Sequence, residues 1–80
     1  MNLSVLLFAS YSDAFGLDRL EVTLPAGATV SDLVREVTGR PDGGFLPPRP
    51  AVAVNRRHVA YDRVIGPGDE VAIIPPVAGG

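Results

Sequence analysis

Two segments near the start of the sequence alternate between apolar and polar residues, as strands do when they bury one face. The odd positions of residues 3–9 are all apolar, and residues 20–24 repeat the alternation. Each segment is therefore predicted to be a strand, and the short connection between them favours an antiparallel pair. The even positions of the first segment change from polar to apolar along the chain: Asn2, Ser4, Leu6 and Phe8.

One clear helix is predicted after the second strand. Thr29 and Asp32 approximate a capping box at its start, and Gly39 is placed to end it. Apolar residues recur between them at i, i+3, i+4 and i+7, so they share one face: Val30, Leu33, Val34 and Val37. A shorter helical turn, with Ser10 as its cap, is expected to end at Gly16.

The second half of the chain carries the signals of three short strands. They are predicted at Ala51–Val54, His58–Tyr61 and Glu70–Ile74. Asn55–Arg57 is predicted to be a hairpin turn, Gly66–Asp69 has the proline and glycine of a type II turn, and Thr38–Pro50 is rich in glycine and proline, as loops are. The order ββαβββ predicts an α+β fold of the β-grasp type found in ubiquitin, a mixed sheet of four to five strands wrapped around one helix.

Composition restricts the classes of function. A chain of 80 residues can form one small core but has little room for a buried catalytic pocket, so a free-standing enzyme is not expected. A net charge of −2 implies no strong attraction to nucleic acid or membranes, and one Arg56–Arg57 pair is no nucleic-acid footprint. His58 is the only histidine and there is no cysteine, so no metal site is predicted, and a cytoplasmic location is expected.

The last six residues differ from the predicted domain over residues 1–74. Pro75 and Pro76 stiffen the exit from the last strand, and the sequence then runs Val77-Ala78-Gly79-Gly80. Fully extended from Pro75, this flexible tail would reach roughly 20 Å. It suits a terminal carboxylate that is threaded into the active site of another protein, and a frayed end without function is the alternative.

Four segments, in order along the chain, carry a resemblance to a known family. They are Val5–Ala9, Leu24–Val30, Ala53–Asn55 and Gly68–Gly80. The last is the most specific, because a Gly-Asp-Glu-Val strand leads into Pro-Pro-Val-x-Gly-Gly. Together they resemble the small subunit of molybdopterin synthase, the MoaD-like branch of the ubiquitin-like sulfur carriers.

The resemblance implies a carrier whose catalysts are its partners. An ATP-dependent enzyme of the ubiquitin-activating type would adenylate the carboxylate of Gly80, and a sulfur donor would convert it to a thiocarboxylate. The large synthase subunit, expected in a heterotetramer with this chain, would use that sulfur to build the dithiolene of molybdopterin. Val77, Ala78 and Gly79 would thread into the partner, and the chain itself is expected to bind no cofactor.

An apolar surface is expected beside the base of the tail. In a β-grasp sheet the first and last strands pair in parallel at the centre, so their C-terminal ends lie side by side. The face away from the helix then presents an apolar patch that adjoins Pro75 and Pro76: Leu6, Phe8, Ala72 and Ile74. This patch is a candidate partner surface. The alternatives are ordinary exposed apolar residues, or cover by the loop of residues 38–50.

Two other functions are compatible with the sequence. A carrier of the same chemistry could serve thiamine synthesis or tRNA thiolation, although Pro-Pro-Val before the last three residues favours the molybdopterin branch. A β-grasp binding module without terminal chemistry is the second. A binding module should tolerate an added residue after Gly80, whereas a carrier should not.

Overall fold

A five-stranded mixed sheet with two helices forms the computed structural model, which describes residues 1–41, 43–44 and 46–76. The elements, in chain order, are β1 (Asn2–Leu7), α1 (Ala9–Phe15), β2 (Arg19–Thr23), α2 (Val30–Thr38), β3 (Ala51–Val54), β4 (Arg57–His58) and β5 (Val71–Ile74). The predicted β-grasp fold is confirmed. The short helical turn expected before β2 is a complete α-helix, and it buries Tyr11 and Phe15.

The strands lie in the order β2-β1-β5-β3-β4. β1 and β5 are parallel, with Leu7 opposite Ile73, whereas the other three pairs are antiparallel. The predicted pairing of the first and last strands at the centre of the sheet is therefore confirmed. As a result, β1 and β5 end at the same edge, and the chain leaves the sheet there at Pro75.

α2 packs its predicted apolar stripe into the core, and all four stripe residues are buried. The predicted capping box is present: Asp32 N–H donates to Thr29 Oγ1 at 3.3 Å, and Thr29 N–H donates to Asp32 Oδ2 at 2.9 Å. Two further N–H groups of the first turn, on Val30 and Ser31, donate to backbone carbonyls of residues 63 and 61. The groups that a helix start leaves without internal partners are thus satisfied, which fixes where α2 begins.

The first strand is shorter than predicted. β1 ends at Leu7, and Ala9 has φ of 48°, a left-handed conformation that turns the chain into α1. The prediction of Ser10 as the cap is wrong. Phe8 occupies that position in an extended conformation, and its carbonyl accepts from Tyr11 N–H at 3.0 Å, whereas no side chain caps the helix. The predicted end at Gly16, with φ of 72°, is confirmed.

The hairpin after β3 also differs from the prediction. Its turn has two residues, Asn55 and Arg56, both with positive φ, as a type I′ turn requires. The return strand is only Arg57–His58 and not the predicted 58–61. Val59 N–H still donates to the Val52 carbonyl, but the chain then turns towards α2. The carbonyls of residues 61 and 63 accept the first N–H groups of α2, and Tyr61 Oη donates to the Pro50 carbonyl at 2.5 Å.

Candidate functional site

The sheet has two unlike faces. Alternate residues of β1, β5 and β3 point towards α2 and join one buried cluster, for example Val5, Ile73 and Val52. The opposite face, called here the outer face, carries the even-numbered residues of β1 and β5. It divides into a polar half near the start of β1 and an apolar half near the end.

The polar half of the outer face is satisfied by its own cross-strand pairs. Thr23 Oγ1 donates to Asn2 Oδ1 at 2.9 Å, and these two residues are opposite each other in the register. Ser4 Oγ likewise donates to the carboxylate of Glu21, its partner in the register, at 2.9 Å. Polar groups paired in this way across neighbouring strands stabilise the sheet and need no other protein.

The apolar half contains the predicted patch, and the structure brings its four residues together. Leu6, Phe8, Ala72 and Ile74 line one recess of about 400 Å³. Phe8 is 47% exposed, although it is one of the largest apolar side chains of the molecule. Among the described residues of the loop after α2, none lines this recess, and Leu46 of that loop packs into the core instead.

The tail begins at the rim of the recess. Ile74, which lines the recess, is followed by a partly buried Pro75 and an exposed Pro76. The predicted threading residues and the predicted acyl position, Val77–Gly80, lie outside the described residues. Their roles, the division of the chain after residue 74, and docking at the patch all stay predictions.

Four residues that line the recess were missed by the sequence reasoning: Ala53, Arg56, His58 and Glu70. Ala53 lies opposite both Ala72 and His58 in the register. Arg56 and Glu70 form an ion pair at 3.7 Å on the outer side of the hairpin. The signal that would have found His58 is the length of the hairpin turn, since this sets which residue faces Ala53.

A network around Asp69 holds the start of β5 against the hairpin. The Asp69 carboxylate accepts hydrogen bonds from Gly66 N–H at 2.8 Å, from Asn55 Nδ2 at 3.0 Å and from Arg63 Nη1 at 3.3 Å. The backbone hydrogen bond from Gly66, followed by that from Asn55, lowers the pKa of Asp69 below its usual range. Gly68 has φ of 86° in the predicted type II turn, which is confirmed.

No group of three or more His, Cys, Asp or Glu side chains is arranged to hold a metal ion in the part of the chain that the structure describes. Within the same residues, neither helix has the length and apolar character needed to cross a bilayer.

Several known proteins resemble this chain over nearly all of its length. The molybdopterin synthase sulfur carrier subunit of Dictyostelium discoideum is 34% identical, over 95% of this chain and 93% of that protein. The protein of the same name from Drosophila ananassae is 30% identical, over 100% of this chain and 92% of that protein.

Solved structures share the fold. A putative molybdopterin converting factor, subunit 1, from Pyrococcus furiosus has a TM-score of 0.79 and 30% identity, covering 96% of this chain and 99% of that one. Small archaeal modifier protein 1 of Haloferax volcanii has a TM-score of 0.77 and 27% identity, and the match covers 95% of this chain and 98% of that one. A complex of subunits 1 and 2 of the molybdopterin-converting factor from Helicobacter pylori matches at a TM-score of 0.74 and 17% identity over 100% of both chains, which shows the fold alone.

The model of the ThiS family matches residues 5–80, which include every element from β1 to β5 except the first residues of β1. This match and the relatives agree with the resemblance found in the sequence. The chain belongs to the ThiS family, within the MoaD/ThiS superfamily of β-grasp proteins.

Proposed function

We propose that this chain is the sulfur carrier subunit of a molybdopterin synthase. The observation that carries the proposal is the parallel pairing of β1 with β5, because it sets the base of the Gly-Gly tail beside an apolar recess. A partner that binds the recess therefore finds the tail next to it. Relatives that are up to 34% identical to this chain are named molybdopterin synthase sulfur carrier subunits, which supports the proposal.

The chemistry of the proposal takes place at the carboxylate of Gly80. A carboxylate oxygen attacks the α-phosphorus of ATP and pyrophosphate leaves, so a poor electrophile becomes an acyl adenylate. The donor then delivers sulfur at the oxidation level of sulfide, which attacks the acyl carbon while AMP leaves. A C–S bond thus replaces the C–O bond to AMP, and the thiocarboxylate forms with no change of oxidation state. Gly79 contributes by the absence of a side chain, which lets the tail lie in a narrow channel.

The partners of the proposal supply the catalysis. They are an adenylating enzyme of the ubiquitin-activating type, a sulfur donor, and the large synthase subunit in a heterotetramer with this chain. Support for the large subunit comes from the fold neighbour that was solved as a complex of two subunits. We propose that the carrier is cytoplasmic, that it binds no cofactor and that it contributes no catalytic group of its own.

The experiment removes or alters the end of the tail and measures both folding and sulfur transfer. Deleting Gly79 and Gly80 should leave the free energy of unfolding nearly unchanged, since glycines at an end bury little apolar area. The same deletion should abolish adenylation and dithiolene formation in a reaction with purified activating enzyme, sulfur donor and large subunit. One residue added after Gly80 should do the same.

A substitution with a matched control refines this test. Gly79→Val should fold normally and transfer sulfur slowly, because a β-branched side chain enters a channel shaped for glycine. Gly44→Val is the control, since Gly44 is exposed and a Cβ built there meets no atom within 4 Å. Dithiolene formation at the wild-type rate by the truncated chain would refute the carrier function.

The same assay separates the pathways that share this chemistry. A carrier dedicated to thiamine synthesis or tRNA thiolation would still be adenylated and charged with sulfur, but it would not pass the sulfur to the pterin precursor. A binding module without terminal chemistry would not be adenylated at all. The names of the relatives favour the pterin as the acceptor.

A further inference from the structure

One row of outer-face residues crosses the whole sheet. The register places Arg19 opposite Leu6, Leu6 beside Ala72, Ala72 opposite Ala53, and Ala53 opposite His58. The row thus runs through all five strands. The two neighbouring members on β5 and β3 are alanines, and the other three have larger side chains.

The two alanines form the floor of a recess and not part of a flat patch. Ala53 is 7% exposed and Ala72 is 8% exposed, yet neither belongs to the core cluster beneath the sheet. Taller neighbours on the same face shield them. Phe8 and Ile74 rise on the side of the tail, and the Arg56–Glu70 ion pair rises on the side of the hairpin.

The walls of this recess differ in chemistry. Leu6, Phe8 and Ile74 make the side next to the tail apolar, whereas Arg56, Glu70 and His58 make the side next to the hairpin charged or polar. A concave, mostly apolar site with a polar rim is the form that receives a large anchoring side chain of a partner protein. A flat patch of the same residues would accept many surfaces, but a floor of alanines accepts a protruding group.

We infer that the alanine-floored recess is a socket for one bulky apolar side chain, which projects from the protein that receives the tail. The inference rests on the proposed function, since it takes the large synthase subunit as that protein. The large subunit is the expected occupant because the recess is continuous with the base of the tail. Ile74 is both a wall of the recess and the residue that leads into the tail. A side chain seated in the socket would fix the large subunit directly over the base of the tail.

Thiol footprinting tests this directly, because the chain contains no cysteine and one introduced thiol is therefore unique. Ala53→Cys places the thiol on the floor, and Ala26→Cys places it in an exposed turn as the matched control. The reactivity of each with N-ethylmaleimide is measured alone and with a saturating amount of the large subunit from the same genome. We expect binding to slow labelling at position 53 at least tenfold and to leave position 26 unchanged.

A second pair of variants fills the socket. Ala53→Leu should weaken binding of the large subunit at least tenfold while the urea midpoint of unfolding stays the same, and Ala26→Leu should change neither. Labelling at position 53 that is unaffected in the complex, or an Ala53→Leu variant that binds within twofold of wild type, would overturn the inference.

The experiments distinguish a failure of the socket from a failure of the carrier function. If wild type passes sulfur to the pterin but position 53 is not protected, the socket is wrong and the carrier function stands. If position 53 is protected but no sulfur is transferred, the carrier function is wrong and the socket stands. A wild-type chain that does not bind the large subunit overturns both.

Discussion

Leu33→Ala tests how much of the stability depends on α2 facing the sheet. Leu33 lies at the middle of α2, is 0% exposed and belongs to the core cluster. The substitution removes three carbon atoms, and at about 0.8 kcal/mol for each buried methylene the transfer term alone is roughly 2.4 kcal/mol. The cavity left behind adds to this, so the expected loss is about 2–5 kcal/mol.

This loss is large for a domain of 80 residues. At roughly 0.05–0.15 kcal/mol per residue, the whole free energy of unfolding is about 4–12 kcal/mol. Urea unfolding followed by circular dichroism measures the change, and a thermal midpoint at least roughly 8 °C lower should accompany it. The slope of the free energy against urea should stay the same, because both chains expose similar areas on unfolding.

Leu17→Ala is the matched control, since Leu17 is a leucine that is 52% exposed. Its cost should lie within about 0.5 kcal/mol of zero. If Leu33→Ala costs well under 1 kcal/mol, or no more than Leu17→Ala, then Leu33 does not fill the core and the packing of α2 described above is wrong.

Two further predictions concern binding and pH. If Phe8 is an interface hot spot, Phe8→Asp should leave the fold intact but weaken binding of the large subunit by at least about 2 kcal/mol, as measured by calorimetry. Val64→Asp is the control, since Val64 is 56% exposed. Equal affinities of the two variants would exclude Phe8 from the interface. Asp69→Asn should destabilise the domain at pH 7 and less so as the pH falls. The folded-state pKa of Asp69 is lowered, so its stabilisation is complete above the unfolded pKa of about 3.9 and is lost as the pH falls through the lower folded value. A difference between variant and wild type that does not shrink as the pH is lowered below about 3.9 would contradict this account.

α2 was predictable because two independent local signals agree on it. The capping pair of Thr29 and Asp32 fixes the start, and the stripe with Leu33 at its centre fixes the buried face. Both signals lie within the nine residues of α2 and its cap, and they need no knowledge of the sheet. The type II turn at Gly68 was predictable for the same reason, because only glycine adopts its positive φ without strain.

The end of β1 was not predictable from local pattern. Ala9 continues the apolar alternation of the strand, yet it takes φ of 48° and begins α1. Alanine rarely adopts this conformation, so no rule of sequence marks the turn. The packing of Tyr11 and Phe15 into the core holds α1 in place and overrides the local preference.

His58 was missed on the polar side of the recess because of one residue in the hairpin turn. A turn of three residues, as predicted, would have put His58 opposite Val54, and therefore on the face that is buried. The observed turn has two residues, so His58 lies opposite Ala53 on the outer face. A shift of one residue in a strand exchanges its faces, which is why the short β4 was the least predictable part of the site.

The proposed function requires a domain that binds a partner and leaves the carboxylate of Gly80 free, and the position of the recess fits this requirement. Because β1 and β5 are parallel neighbours, the apolar end of each strand lies at the edge where the chain leaves the sheet. The six residues after Ile74 can extend roughly 20 Å. The carboxylate of Gly80 therefore stays within that distance of Ile74, and so within reach of a protein anchored on the outer face. Had the strands been antiparallel, the apolar end of β1 would lie at the opposite edge from the tail. The direction of one strand pairing thus determines whether the proposed binding surface and the proposed acyl group can serve the same partner.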